Sequence, residues 1–359
     1  MRRLALTTTV AALLVASTRL QGSVTAEGNP GQVLVTSVST VGMTVADMDR
    51  SVDFYTTVLD FRKVSDVEVS GRDYELLTGV FGARLRIVTL RLGDESIELT
   101  EYIAPKGHPF PSDLKPNDAA FQHVAIIVSD MDRAYARLRQ FKVEHASTGP
   151  QRLPEWNPNA GGIGAFYFRD PDRHFLEILH FPPGKGLDKW HHTDGLFLGI
   201  DHTAIVVGDS DRSLAFYRDL LQMKVAGESE NYDTEQEHLN GVFGARLRIT
   251  ALRAAAGPGV ELLEYLAPRD GRPAPPDLHS NDIAHWQTTM VSEAVDGITR
   301  LFKLRVFSFV SPSVVTVPST DLGFRTGVLV RDPDGHAVRL VNRPRNLSRL
   351  KPPEPDGIQ

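Results

Sequence analysis

His-Val-Ala-Ile-Ile-Val-Ser-Asp-Met-Asp-Arg, residues 123–133, returns as His-Thr-Ala-Ile-Val-Val-Gly-Asp-Ser-Asp-Arg at 202–212. In each copy the apolar run reads as a buried strand, and Asp130 or Asp209 stands where a helix N-cap is wanted, ahead of a helical pattern. A single histidine at the start of a buried strand is most simply a core or rim residue satisfied by hydrogen bonds. The same histidine in the same frame twice asks for a further reason.

Working outward, the frame Val-x-Asp-x-Asp-Arg occurs at 45–50, 128–133 and 207–212, with a worn fourth copy from Val291 to about Asp296. Phe54-Tyr55 after the first frame matches Phe216-Tyr217 after the third, and residues 79–87 repeat letter for letter at 241–249. Glu98-Leu99-Thr100-Glu101-Tyr102 parallels Glu261-Leu262-Leu263-Glu264-Tyr265. The chain is an internal duplication, and each half is itself double. After each helix come about three short strands, so the unit is strand-helix-strand-strand-strand, used four times: an α+β chain. Asp170-Pro171-Asp172 and Asp332-Pro333-Asp334-Gly335 mark tight turns between the last two strands of the second and fourth units.

The 359 residues suffice for two domains with proper cores, expected at 36–181 and 197–342. Residues 182–196 read as a linker, in which His191 and His192 are polar surface. A proline-rich tail, 343–359, is expected to be disordered. Arg2 and Arg3, an apolar run and small residues up to Ala26 read as a signal peptide over 1–26, so the expectation is a secreted or periplasmic protein with no membrane contact after cleavage. A net charge of -6 leaves no basic footprint for nucleic acid. The absence of cysteine excludes disulfides, thiolate metal sites and a thiol nucleophile. The loop 149–164, rich in glycine, asparagine and proline around Trp156, is either a lid or a long connection.

The His-x-Ala-Ile-x-Val-x-Asp-x-Asp-Arg entry, the Phe-Tyr helix, the Ile-Glu-Leu strand and the Asp-Pro-Asp hairpin together resemble the vicinal oxygen chelate superfamily, which includes glyoxalases, bleomycin resistance proteins and extradiol dioxygenases. The likeness spans about residues 36–342. It implies two tandem glyoxalase-like domains made of four βαβββ modules, with mixed, barrel-like curved sheets. It also implies one divalent metal ion (zinc, nickel, cobalt, manganese or iron(II)) on the floor of a cleft between two modules, held by first-strand and last-strand residues. Carried over, the first module offers Thr40 and Glu98, the second His123 and Glu177, the third His202 and Glu261. The fourth offers Trp286 or Gln287, then Arg339, which stays protonated and is no ligand. His285 falls one residue out of register with His123 and is expected to face the other way.

Two pairings are open. If each half closes on itself, one cleft has Glu98, His123 and Glu177 and the other only His202 and Glu261. If the second module faces the third, His123, Glu177, His202 and Glu261 meet as metal ligands, and Thr40, Glu98, Gln287 and Arg339 form a cleft without function. By the same resemblance the expected chemistry is a glyoxalase-like lyase or isomerase reaction on a small oxygen-chelating substrate. Glu177 first and Glu261 second are the candidates to move a proton alpha to a carbonyl. A ring-cleaving dioxygenase and a non-catalytic small-molecule binding protein are the alternatives. Arg84 and Arg246 are the only candidates for holding glutathione, and each reads more simply as a salt-bridged strand residue.

Overall fold

The computed structural model describes residues 34–192 and 194–343. The signal peptide expected over 1–26 and all but the first residue of the expected tail lie outside the described residues. The first module is β1 (Ser37–Val45), α1 (Met48–Val58), β2 (Arg62–Ser70), α2 (Arg72–Thr78), β3 (Arg84–Leu92) and β4 (Glu95–Ala104). The second is β5 (Gln122–Val128), α3 (Met131–Gln140), the short β6 (Glu144–His145) and β7 (Gln151–Arg152), β8 (Gly164–Arg169) and β9 (Phe175–His180). The third is β10 (Phe197–Val206), α4 (Ser210–Leu214) running into a π-helical turn at Ala215–Leu220, β11 (Lys224–Asn231), α5 (Thr234–Asn240), β12 (Arg246–Arg253) and β13 (Gly259–Ala267). The fourth is β14 (Trp286–Val291), α6 (Val295–Leu304), β15 (Val315–Thr316), β16 (Thr326–Arg331) and β17 (Ala337–Asn342).

The repeated Asp-x-Asp-Arg text starts helices as expected. Asp47, Asp130 and Asp209 each accept a hydrogen bond from the backbone N–H three residues on, at 3.0, 2.9 and 3.0 Å. The worn fourth copy has Ala294 at that place and no side-chain cap.

Strand pairing joins the halves. One sheet runs β15-β16-β17-β14-β1-β4-β3-β2 and unites the first and fourth modules; the other runs β11-β12-β13-β10-β5-β9-β8-β6 and unites the second and third. Within a module the first and last strands are parallel, as β5 is to β9, and between modules the first strands are antiparallel, as β5 is to β10. Both sheets are therefore mixed, and each curls around its own concave interior. The second–third interior is lined by Phe121, Tyr167, Phe175, Leu247, Leu263 and their neighbours, the first–fourth by Tyr74, Leu85, Tyr102, Val317 and Phe324.

The connection within each half is on the other face of the sheets, where α1, α3, α4 and α6 pack. Asp170 of the hairpin accepts from the backbone of Asp172 and His174, both at 2.9 Å, and from the Tyr55 hydroxyl of the first module at 3.1 Å. Asp172 accepts from the Ala46 N–H at 2.9 Å and pairs with Arg50. The same set recurs between the third and fourth modules: Asp332 takes the Tyr217 hydroxyl at 2.9 Å, and Asp334 the Ser213 hydroxyl at 3.0 Å and the Arg212 guanidinium. The Phe-Tyr helix and the Asp-Pro-Asp hairpin are thus two ends of one buried clasp. His174 completes it, 2.9 Å from Asp170; burial opposes its charge, but Asp170 outweighs that and raises its pKa.

The segment read as a linker is partly built into the protein. A 3₁₀ turn at Asp188–His191 buries Trp190, while His191 and His192 are exposed as expected. Tyr55→Phe takes a hydroxyl donor from a buried carboxylate and should lower the unfolding free energy by about 2 kcal/mol. Tyr217→Phe should cost about the same, and unchanged urea midpoints in both variants would refute the clasp.

Candidate metal centre

The antiparallel register of β5 on β10 sets His123 opposite Ala204 and Ala125 opposite His202. Parallel pairing then sets Glu177 of β9 beside Ala125, and Glu261 of β13 beside Ala204. Four side chains from two halves of the chain converge. His123 Nε2 lies 3.2 Å from Glu177 Oε2, which lies 3.8 Å from His202 Nε2, which lies 3.4 Å from Glu261 Oε2. His123, Glu177 and His202 offer ligand atoms all within 4.8 Å of one another. Glu261 borders that group, nearest His202.

These spacings are short, yet neither histidine Nε2 makes a hydrogen bond with acceptable geometry. Donors about 2.0–2.2 Å from a common ion are separated from each other by about 3.0–3.5 Å in tetrahedral or octahedral arrangements. The residues present therefore fit a divalent cation. Burial opposes charge on His202, but Glu261, Asp201 and Glu177 outweigh it and raise its pKa to about 9. Burial raises the Glu261 pKa, Glu177 adds to the rise, and the histidines oppose it.

The centre opens into a cavity of about 390 Å³. Leu153, Ile163, Leu179, Phe181 and Leu187 give it an apolar wall, and Tyr167, Asn231, Gln236 and Arg253 supply polar groups. The 149–164 loop closes one side: Trp156 packs on Tyr232, with ring centroids 4.4 Å apart, and Asn157 donates to Glu230 O and Asn231 Oδ1. Three neighbours of the site escaped sequence reading. Tyr167 packs against the His123 ring at 4.8 Å, Asp201 lies 3.0 Å from His202 Nδ1, and Arg253 lies 2.7 Å from Asp201. Tyr167 was legible in principle, since it stands beside Glu177 on the neighbouring strand of the same hairpin.

The other sheet gathers the remaining four residues. Arg339 pairs with Glu98 at 2.7 Å, Gln287 donates to Glu98 at 3.3 Å, and the buried Thr40 hydroxyl has no partner. Gln287 lies opposite Gly42 and beside Ala337, matching His123 opposite Ala204 and beside Phe175, so Gln287 and not Trp286 is the equivalent residue. Trp286 instead packs against His174. The expectation that His285 faces away is corrected by the same register: two residues before Gln287, it lines the same cleft. Burial, with Arg331 adding, lowers its pKa to about 3, so it stays neutral there. Arg84 and Arg246 are exposed and pair with Glu68 and Glu230 across neighbouring strands, away from the cavity lining.

The sequence profile of the Glyoxalase/Bleomycin resistance protein/Dioxygenase superfamily matches residues 37–178 and again 199–340. A 2-epi-5-epi-valiolone epimerase from Actinomyces sp. is 32% identical over 171 residues, 46% of this chain and 88% of the relative. Among solved structures, glyoxalase I from Zea mays superposes with a TM-score of 0.53 at 16% identity, covering 85% of this chain and 92% of that one. A mutant of the same enzyme gives 0.56 at 16% identity, over 88% and 96%. At that identity the likeness to the solved structures speaks for the fold, and the two profile matches speak for the family. The chain belongs to the glyoxalase/bleomycin resistance/dioxygenase superfamily, in a form with two tandem domains.

Proposed function

We propose that the chain is a divalent-metal-dependent enzyme that moves a proton on the carbon next to a carbonyl of a small, uncharged substrate, as an isomerase or lyase. The observation that carries this reading is the convergence of His123, Glu177 and His202 with both Nε2 atoms buried and unpartnered. His123, Glu177 and His202 would hold the ion, with Glu261 beside them. When bound, zinc, nickel, cobalt, manganese or iron(II) supplies Lewis-acid stabilisation of negative charge on substrate oxygens.

The chain's own residues handle the proton. Glu177 sits between two imidazoles with its side chain 6% exposed, whereas Glu261 reaches only His202 and is 20% exposed. Glu261 is the freer carboxylate, and burial makes it a stronger base than usual. Its position supports assigning it the proton and Glu177 the ligand role, the reverse of the order that the sequence suggests. Tyr167, whose pKa burial and Glu177 raise well above the ordinary value, remains a neutral donor at the cavity wall.

Cavity charge supports the substrate class. Among the described residues, Arg253 is the only lysine or arginine lining it, and it is committed to Asp201. An anionic group, such as a glutathione carboxylate, finds no uncommitted lysine or arginine there among the described residues. The relative named as an epimerase of 2-epi-5-epi-valiolone supports an isomerisation. A second reading rests on the tight group alone: two histidines and one carboxylate also serve iron(II) oxygenases, so ring cleavage is the alternative.

The purified protein should take up one divalent ion per chain, and His123→Ala and His202→Ala should each abolish stoichiometric uptake. Retention of the ion by either variant would remove the composite centre. Because the metal must displace a proton from His202, affinity should rise by about tenfold per pH unit below about 9 and level off above it; titration in weak buffer should show proton release. With metal content preserved, Glu261→Gln should lower turnover on the order of 10²–10⁴-fold and slow solvent deuterium incorporation beside the substrate carbonyl. Iron(II)-dependent oxygen uptake with catechols, and no deuterium incorporation, would favour the dioxygenase.

A further inference from the structure

Asp201 and His202 are neighbours on β10, and neighbours on a regular strand face opposite ways. Here both serve one site, because the register against β5 shifts between Ile200, opposite Ile126, and His202, opposite Ala125. Asp201 is the extra residue of a β-bulge, which re-aims its side chain. The displaced Ile200 N–H is satisfied by Glu95 Oε2 at 3.2 Å, from the other sheet. Gly199 makes the turn possible, since a Cβ there would meet Glu95 Oε2 at 2.5 Å and the Trp190 ring at 2.8 Å.

We infer that Asp201 is a positioning residue for the metal centre proposed above: it accepts the His202 Nδ1–H and thereby turns Nε2 toward Glu177 and His123. The inference rests on that metal reading. Asp201 is itself fixed. Oδ2 faces His202 Nδ1 at 3.0 Å, while Oδ1 accepts from Arg253 Nη2 at 2.7 Å and from Trp190 Nε1 at 3.1 Å. The Asp201 carbonyl takes a further bond from Arg253 at 3.2 Å. His123 is held differently: its Nδ1 has no partner, and its ring is wedged against Tyr167 and Phe121 at 4.8 and 5.6 Å. Only one of the two imidazoles is set by a carboxylate.

The duplicated module supplies an internal comparison. In β1 the register shifts in the same way between Val38 and Thr40, which makes Ser39 the counterpart of Asp201 and Thr40 that of His202. The Ser39 hydroxyl donates to the Thr289 carbonyl at 3.3 Å. Where there is no histidine to aim, there is no carboxylate to aim it. Trp190 ties the connection between the halves to the same assembly.

The test is zinc affinity by chelator competition, with cobalt(II) absorption spectra, on the full chain and on Asp201→Ala, Asp201→Asn, Trp190→Phe and Ser39→Ala. Asp201→Ala should bind zinc about 10- to 100-fold more weakly and shift the cobalt spectrum. Asp201→Asn and Trp190→Phe should fall between it and the wild type, and Ser39→Ala should match the wild type. Wild-type zinc affinity and an unshifted spectrum in Asp201→Ala would overturn the inference alone. So would a loss of affinity that merely tracks lost folding stability of the metal-free variants. A wild type that holds neither ion would overturn the metal reading and this inference with it.

Discussion

The antiparallel contact between β5 and β10 is the constraint on which the molecule depends. Every residue of both strands is buried, so each must satisfy the concave interior on one face and the helix-lined core on the other. Val124, Ile126 and Val128 enter the helix-side core, while His123 and Ile127 turn to the interior. A slip of one residue would exchange those sets and place imidazole among leucines. The clasp of Asp170, His174 and Tyr55 anchors the second module from behind. Ligand geometry is a by-product of a register that packing enforces.

Identical architecture yields two clefts that differ in charge. In the cleft of the first–fourth sheet the buried carboxylate of Glu98 is balanced by Arg339. In the second–third sheet Glu177, Glu261 and Asp201 surround two imidazoles, and among the described residues Arg253 alone of the lysines and arginines lines that cavity. Uncompensated carboxylates away from water are costly, and a cation that joins them removes much of that cost. A covalently attached guanidinium closes one cleft permanently. The other keeps a negative excess that a mobile cation would balance, and this is the electrostatic reason to look for chemistry there.

Much of this was legible in the sequence, because the duplication carried it. The caps at Asp130 and Asp209, the hairpins, the first-strand histidines and the last-strand glutamates recur in the same order and at similar spacings between copies. Bulges broke the rest of the inference. An alternation of two residues assigns Asp201 to the face opposite His202, and only the extra residue revealed by β5 reverses that. The choice between Trp286 and Gln287 also needed the partner strand, and with it the orientation of His285. Trp190 looked like linker because its partner, Asp201, belongs to the bulge. The helices α2 and α5 escaped because each is a short excursion of seven residues inside a run of strands.

The crossed pairing of modules also dictates an order of assembly. β1 lies between β4, the last strand of its own module, and β14, whose Val291 pairs with Ser37 near the start of the described chain. As the chain emerges from the ribosome, the sheet around the metal centre has all its strands once β13 is made, while β1 still presents an open edge. That edge stays a template for wrong partners until the last module arrives to cover it. Loop closure over such a distance is slow, so the oldest part of the nascent chain is the last to be protected. A chain that stalls after β13 would carry the whole metal centre and an aggregation-prone first module together.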